Sequence, residues 1–146
     1  MAKKVFLSFL ALLTSCNEIV PETETVEEVI IEYPSSFIQW SELFTQESNS
    51  YFIYVFAYDC YYCNLLKTKV ICFHETCKFP VYFCEYTKSI PIAHDIDNTI
   101  GKNKIDDVFI KGTPTLILVS EKSIAFNVAG KEAVSEMIDL HLKNEL

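Results

Sequence analysis

From Ser35 onward the chain alternates between two hydrophobic periods. Behind Ser35 and Ser36, either of which can cap a helix, Phe37, Ile38, Trp40, Leu43 and Phe44 fall on one side of a helix that the polar run 46–50 closes. Residues 51–57, YFIYVFA, form an unbroken run of mostly β-branched and aromatic side chains, the pattern of a strand buried on both faces. A helix beginning near Cys60 carries Leu65, Leu66 and Val70, and residues 80–86, PVYFCEY, predict a second buried strand. Residues 88–104 are mixed and predict a short helix with Gly101 near its end. Residues 114–120 and 123–128 predict two more strands, joined by a tight hairpin at Glu121-Lys122. A last helix runs from about Lys131, with Ala133, Val134, Met137, Ile138 and Leu142 at helical spacing. The order helix, strand, helix, strand, helix, hairpin, helix predicts an α/β domain over 35–146, a central sheet with helices on both faces. No internal repeat is visible in it.

The segment before this domain has a different character. Lys3 and Lys4 precede a short apolar run, Val5 to Leu13, which has the layout of a secretory signal and is too short for a comfortable membrane span. Its end, Leu13-Thr14-Ser15-Cys16, resembles a bacterial lipobox. That resemblance implies a signal peptide over 1–15 and a lipid on the Cys16 sulfur, which tethers the chain to a membrane by acyl chains alone. An ordinary signal peptide with a chance cysteine is the alternative. Residues 16–34 then form an acidic linker with six glutamates and no lysine, whose like charges favour extension. Val29-Ile30-Ile31 within it is a candidate edge strand.

Charge narrows the choice of partners. The chain has a net charge of -8, and all twelve basic residues are lysines. Nucleic acid is therefore a poor partner, since its binding requires neutralised phosphates and arginine supplies the best fork for them. Removal of residues 1–15 takes away Lys3 and Lys4 and no acid, so an anionic domain is held off an anionic membrane surface. Six cysteines in 146 residues point to an oxidising compartment, in keeping with the signal.

The candidate chemistry sits at Asp59-Cys60-Tyr61-Tyr62-Cys63. Spacing alone leaves a redox pair, half a zinc site or a structural staple open. At the junction of a strand and a helix, Cys60 meets the free N–H groups and dipole that favour a thiolate, and Cys63 lies one turn later on the same side. This makes Cys60 the exposed nucleophile and Cys63 the resolving cysteine. Residues 109–119, FIKGTPTLILV, and Gly130 between hairpin and last helix complete a set of three marks in one order.

Together these marks resemble the thioredoxin family over roughly residues 35–146. The resemblance implies an α/β thioredoxin-like fold, with a central mixed β-sheet flanked by helices on both faces. It also implies protein thiol-disulfide oxidoreductase activity on client proteins carrying thiols or disulfides, with a membrane or envelope redox partner and no cofactor. Pro114, in cis, faces the cysteine pair, and the Thr113 backbone pairs with an extended substrate segment. The chain departs from the family's Trp-Cys-Gly-Pro-Cys in the two tyrosines. It also carries Tyr54 where thioredoxins have a buried carboxylate, and a longer stretch separates Cys63 from Pro114. Tyr61 and Tyr62 are either a stacking platform for substrate or an exposed rim. Loss of the carboxylate and an extracytoplasmic address favour oxidation or isomerisation, with reduction open.

Three further cysteines remain. Cys84, in a strand, is expected in the core, and Cys72 and Cys77 can close a loop as a second disulfide. Cys60, Cys63, Cys72, His74 and Cys77 also have a spacing that can supply zinc ligands. A non-catalytic module binding zinc or a client peptide is therefore the alternative, although zinc requires neither the 109–119 segment nor the strand before Cys60. His94 and His141 are expected at the surface or in helix packing.

Overall fold

The computed structural model describes residues 33–143. The expected signal peptide, Cys16, and the linker as far as residue 32, including Val29-Ile30-Ile31, lie outside the described residues. Four strands form one sheet in the order β2-β1-β3-β4: β1 is Ser50–Phe56, β2 Val81–Glu85, β3 Thr115–Ser120 and β4 Ser123–Ala129. The β1–β2 pair is parallel and the other two pairs are antiparallel, so the sheet is mixed. A parallel pair needs a crossover, and helix α1, Tyr61–Thr76, supplies it. Helix α2, Lys131–Lys143, is the last element of the described residues. No helix of the described residues is long and apolar enough to cross a membrane.

Alternation along β1 divides the core. Phe52, Tyr54 and Phe56 point to the face covered by α1 and α2, where they meet Leu66, Val70, Phe73, Val134 and Ile138. Tyr51, Ile53 and Val55 point to the opposite face. The unbroken apolar run is thus the mark of a strand with no solvent side. Lys69 Nζ ties the two helices together, donating to Ser135 Oγ at 2.6 Å and to Asp139 Oδ2 at 2.8 Å.

The helical cover of the second face is made of 3-10 turns and loops, since both α-helices share the first. A 3-10 turn at Asp97–Thr99 stands where a short helix is expected in 88–104, and a second turn, Ile105–Asp107, follows that segment. Ile90, Val108 and Ile110 are buried there. Asn127 of β4 holds this cover down, donating to Phe109 O at 2.8 Å and Thr99 Oγ1 at 3.1 Å.

The expected first α-helix does not form. Two 3-10 turns, Pro34–Ser36 and Trp40–Glu42, flank an extended Phe37-Ile38. Ile38 N–H donates to Phe83 O at 2.9 Å, and Phe37 bridges Phe83 in parallel, so the segment runs along the edge of β2. Phe37 packs on the α-helical side and Ile38 on the other. Adjacent residues pointing to opposite faces are a strand property that helical periodicity excludes.

The hairpin at Glu121-Lys122 has φ of 50° and 58°, the left-handed pair of a turn whose twist matches the flanking strands.

Candidate functional site

Cys60 is the N-cap of α1, with an extended backbone, and Cys63 lies in the first turn. Their Cα atoms are 5.2 Å apart and the two sulfurs are joined as a disulfide. The Cys63 N–H also donates to Cys60 Sγ at 3.1 Å. Cys60 is half-buried and Cys63 only 4% exposed, so an incoming sulfur reaches Cys60 first. A thiolate released on Cys60 sits against the unpaired N–H groups of a sixteen-residue helix.

The sheet brings the second mark to the same place. Val55 pairs with Thr115 across the antiparallel β1–β3 ladder, so the end of β1 that leads to Cys60 lies beside the start of β3. Pro114, buried and just before that start, follows a cis Thr113–Pro114 peptide bond. Pro114 O accepts from Gly130 N–H at 2.9 Å, and Gly130 has a φ of +94°, a conformation open mainly to glycine. The glycine thereby ties the proline turn to the start of α2. Thr113 is partly exposed, beside a proline that has no N–H of its own.

Tyr61 and Tyr62 are 69% and 53% exposed, their rings 5.4 Å apart and edge to face. Tyr58 and Leu65 are exposed as well, so four large apolar or aromatic side chains close to Cys60 in the sequence face solvent. No positively charged residue lies in the first turn of α1 to add to the helix dipole.

Behind Cys63 is a cavity of about 30 Å³, room for one water. Its walls are aromatic and aliphatic apart from Cys63, Tyr54 and Lys67. Tyr54 Oη and Lys67 Nζ are both buried without a hydrogen-bond partner among the described residues. Burial raises the Tyr54 phenol far above its ordinary value, so the group is a donor and not a base. Lys67 carries no motif in the sequence; its one signal is a position four residues after Cys63, on the same helix face.

The remaining cysteines correct one expectation. Cys77 is a free thiol, so the Cys72–Cys77 disulfide is not formed. Cys72 is in α1 and Cys77 is its C-cap, and five residues of helix turn a side chain through about 140°, which points the two Cβ atoms apart. Cys84 is a buried core thiol. His74, a candidate zinc ligand by spacing, instead faces Ser36 Oγ at 3.0 Å and packs against Tyr33 and Phe83. Among the described residues no three His, Cys, Asp or Glu side chains are gathered as a metal site. His94 is exposed, and His141 packs edge-on to Phe52 at 4.9 Å.

No protein-family model and no curated protein matches the chain. Among solved structures it is similar to thioredoxin f2 of Chlamydomonas reinhardtii, at 14% identity over 75% of this chain and 94% of that one, with a TM-score of 0.49. A thioredoxin of Schistosoma mansoni is 17% identical over 75% and 96% of the two chains, with a TM-score of 0.45. Mitochondrial thioredoxin 3 of Saccharomyces cerevisiae is 15% identical over 73% and 96%, with a TM-score of 0.44. Likenesses this distant carry no argument about chemistry. By strand order, by the parallel β1–α1–β2 crossover and by the cis-proline turn ahead of β3, the chain has a thioredoxin-like fold.

Proposed function

We propose that this protein is a thiol-disulfide oxidoreductase acting on protein cysteines through Cys60 and Cys63. One observation carries the reading: a half-buried sulfur at a helix N-terminus is bonded to a buried sulfur one turn on. In the reductive direction the Cys60 thiolate attacks a client disulfide, one client sulfur leaves as thiolate, and a mixed disulfide forms. Cys63 then attacks Cys60 and releases the second client sulfur. In the oxidative direction a client thiolate attacks Cys60 and Cys63 leaves. The Thr113 backbone and Pro114 bind the extended client segment, and Tyr61 and Tyr62 receive its apolar side chains.

The lipobox-like Leu13-Thr14-Ser15-Cys16 supports an extracytoplasmic address, with Cys16 as lipid anchor to a bacterial membrane. Client proteins and an envelope redox partner then meet the domain in an oxidising compartment.

Trapping tests the activity. A Cys63→Ser variant is expected to accumulate disulfide adducts between Cys60 and client proteins, visible as higher bands that a reductant removes. Absence of adducts from Cys63→Ser, with no exchange between the wild-type pair and glutathione, sinks the reading. The exposed side chains of Tyr58, Tyr61, Tyr62 and Leu65 favour a second reading, a peptide-binding module without turnover. That reading predicts client capture that survives Cys60→Ala. Globomycin-sensitive processing and acyl labelling that depends on Cys16 test the anchor.

A further inference from the structure

Tyr54 of β1 and Lys67 of α1 both line the cavity behind Cys63, and Tyr54 Oη and Lys67 Nζ are buried with no hydrogen-bond partner among the described residues. An unpaired hydroxyl in an apolar surround is costly, and an unpaired ammonium more so. Tyr54 is only 4% exposed, so solvent does not relieve it. Both groups carry protons to donate, which makes the cavity a place prepared for a negative charge. Of the groups that line it, only Cys63 becomes an anion during thiol-disulfide exchange.

We propose that Lys67, assisted by the Tyr54 hydroxyl, stabilises Cys63 as a thiolate whenever the Cys60–Cys63 bond is open, so that both are positioning residues for the resolving step. This rests on the exchange activity proposed for the pair. When a mixed disulfide resolves, the Cys63 thiolate attacks Cys60 Sγ. The Cys60–Cys63 bond forms, the Cys60–client bond breaks, and the client sulfur leaves with the electron pair. In the oxidative direction Cys63 is itself the leaving sulfur and departs with the pair. Either way the negative charge is on Cys63 Sγ, and the role of Lys67 is the same for both directions of electron flow.

The arrangement differs from a carboxylate behind the resolving cysteine. A carboxylate accepts the Cys63 proton; a cation and a phenol instead lower the energy of the anion left when solvent takes it. Around Cys63, α1 contributes Lys67 and β1 contributes Tyr54. The segment before β1 offers Phe37, β2 offers Phe83, and α2 offers Val134 and Ile138, none of which titrates. Tyr62, next to Cys63 in the chain, is 53% exposed, and the titratable group bonded to Cys63 itself is Cys60.

The test removes that neighbour. In Cys60→Ser, the ultraviolet thiolate absorbance against pH, taken as the difference from Cys60→Ser/Cys63→Ser, follows Cys63 alone. Adding Lys67→Met is expected to raise the midpoint by about one pH unit or more. Lys67→Arg is expected to keep it and Tyr54→Phe to raise it less. An unchanged midpoint in Lys67→Met overturns the proposal, and Lys67→Gln takes its place, with the same two outcomes, if the methionine variant does not fold. A second readout uses otherwise wild-type protein carrying 5-thio-2-nitrobenzoate on Cys60, whose release reports attack by Cys63. Release near neutral pH is expected to be about threefold or more slower in Lys67→Met, with the gap closing at alkaline pH. A gap that is the same at every pH marks a merely structural role and overturns the proposal. The titration involves no client, so a failure of the exchange activity is seen separately, as missing adducts in Cys63→Ser.

Discussion

The backbone N–H of Cys63 donates to Cys60 Sγ at 3.1 Å, which makes the outer cysteine of the pair the N-terminal cap of α1. A sulfur is a weak acceptor, but as a thiolate it gains a charge-assisted bond and the favourable end of a helix dipole. Once the pair is reduced, Cys60 is expected to titrate below the ordinary thiol value of about 8.5. The rate of carboxymethylation of Cys60 against pH, followed by mass spectrometry of the labelled peptide, measures this. A midpoint at or above the ordinary value contradicts it.

Cys84 is the counter-example within the same chain. Burial, helped by the Glu42 and Glu85 charges, pushes its thiol up to about 12. Its sulfur makes only a weak contact with Glu85 O at 3.8 Å. Native protein at neutral pH is therefore expected to leave Cys84 unlabelled by iodoacetamide while reduced Cys60 is consumed, with Cys84 reacting only after unfolding in urea. Labelling of Cys84 at the rate of Cys60 in the native state contradicts this.

Gly130 joins two parts of the site by one bond, its N–H to Pro114 O at 2.9 Å. A Cβ built on it meets no atom within 4 Å, so Gly130→Ala brings no clash and its cost comes from the φ of +94°. The expected loss is about 1–2 kcal/mol of stability. A lower urea midpoint with an unchanged slope checks it. If the proline turn also shifts, client adducts of Cys63→Ser are expected to fall when Gly130→Ala is added.

What could be read from the sequence follows from which features depend on local order. YFIYVFA reads as a strand because its first six residues, 51–56, are buried on both faces at once. The hairpin at 121–122 reads from the two strands around it. Phe37 and Ile38 mislead because their spacing to Trp40, Leu43 and Phe44 fits a helix, whereas bonding to Phe83, far along the chain, draws them out straight. Cys60, Cys63 and Pro114 are legible as motifs, but their meeting depends on the register Val55 to Thr115, which no local pattern encodes. Lys67 is illegible for a similar reason. A lysine on a helix reads as solvated, and only the cavity shared with Tyr54 shows its end to be buried.

His74 supplies a pH dependence of stability. Its ring lies between Tyr33, at 4.7 Å, and Phe83, at 5.1 Å, while Nε2 faces Ser36 Oγ at 3.0 Å. Burial lowers its pKa below the ordinary 6.5, and the nearby Glu75 carboxylate opposes this without cancelling it. Between the folded and unfolded values the unfolded chain binds more protons, so stability rises with pH in that window. The contribution is complete above about 6.5, is lost as pH falls toward the lower folded value, and levels off below it. The urea midpoint is therefore expected to drop as pH falls from above 6.5 to just below it, before the carboxylates protonate. His74→Gln keeps a polar group opposite Ser36 and removes the titration, so its profile is expected to be flatter in the same window. An equal slope in both proteins would falsify the assignment. A steeper fall in the wild type places the sensitivity where α1 meets the segment that runs beside β2, at the end of the helix away from Cys60.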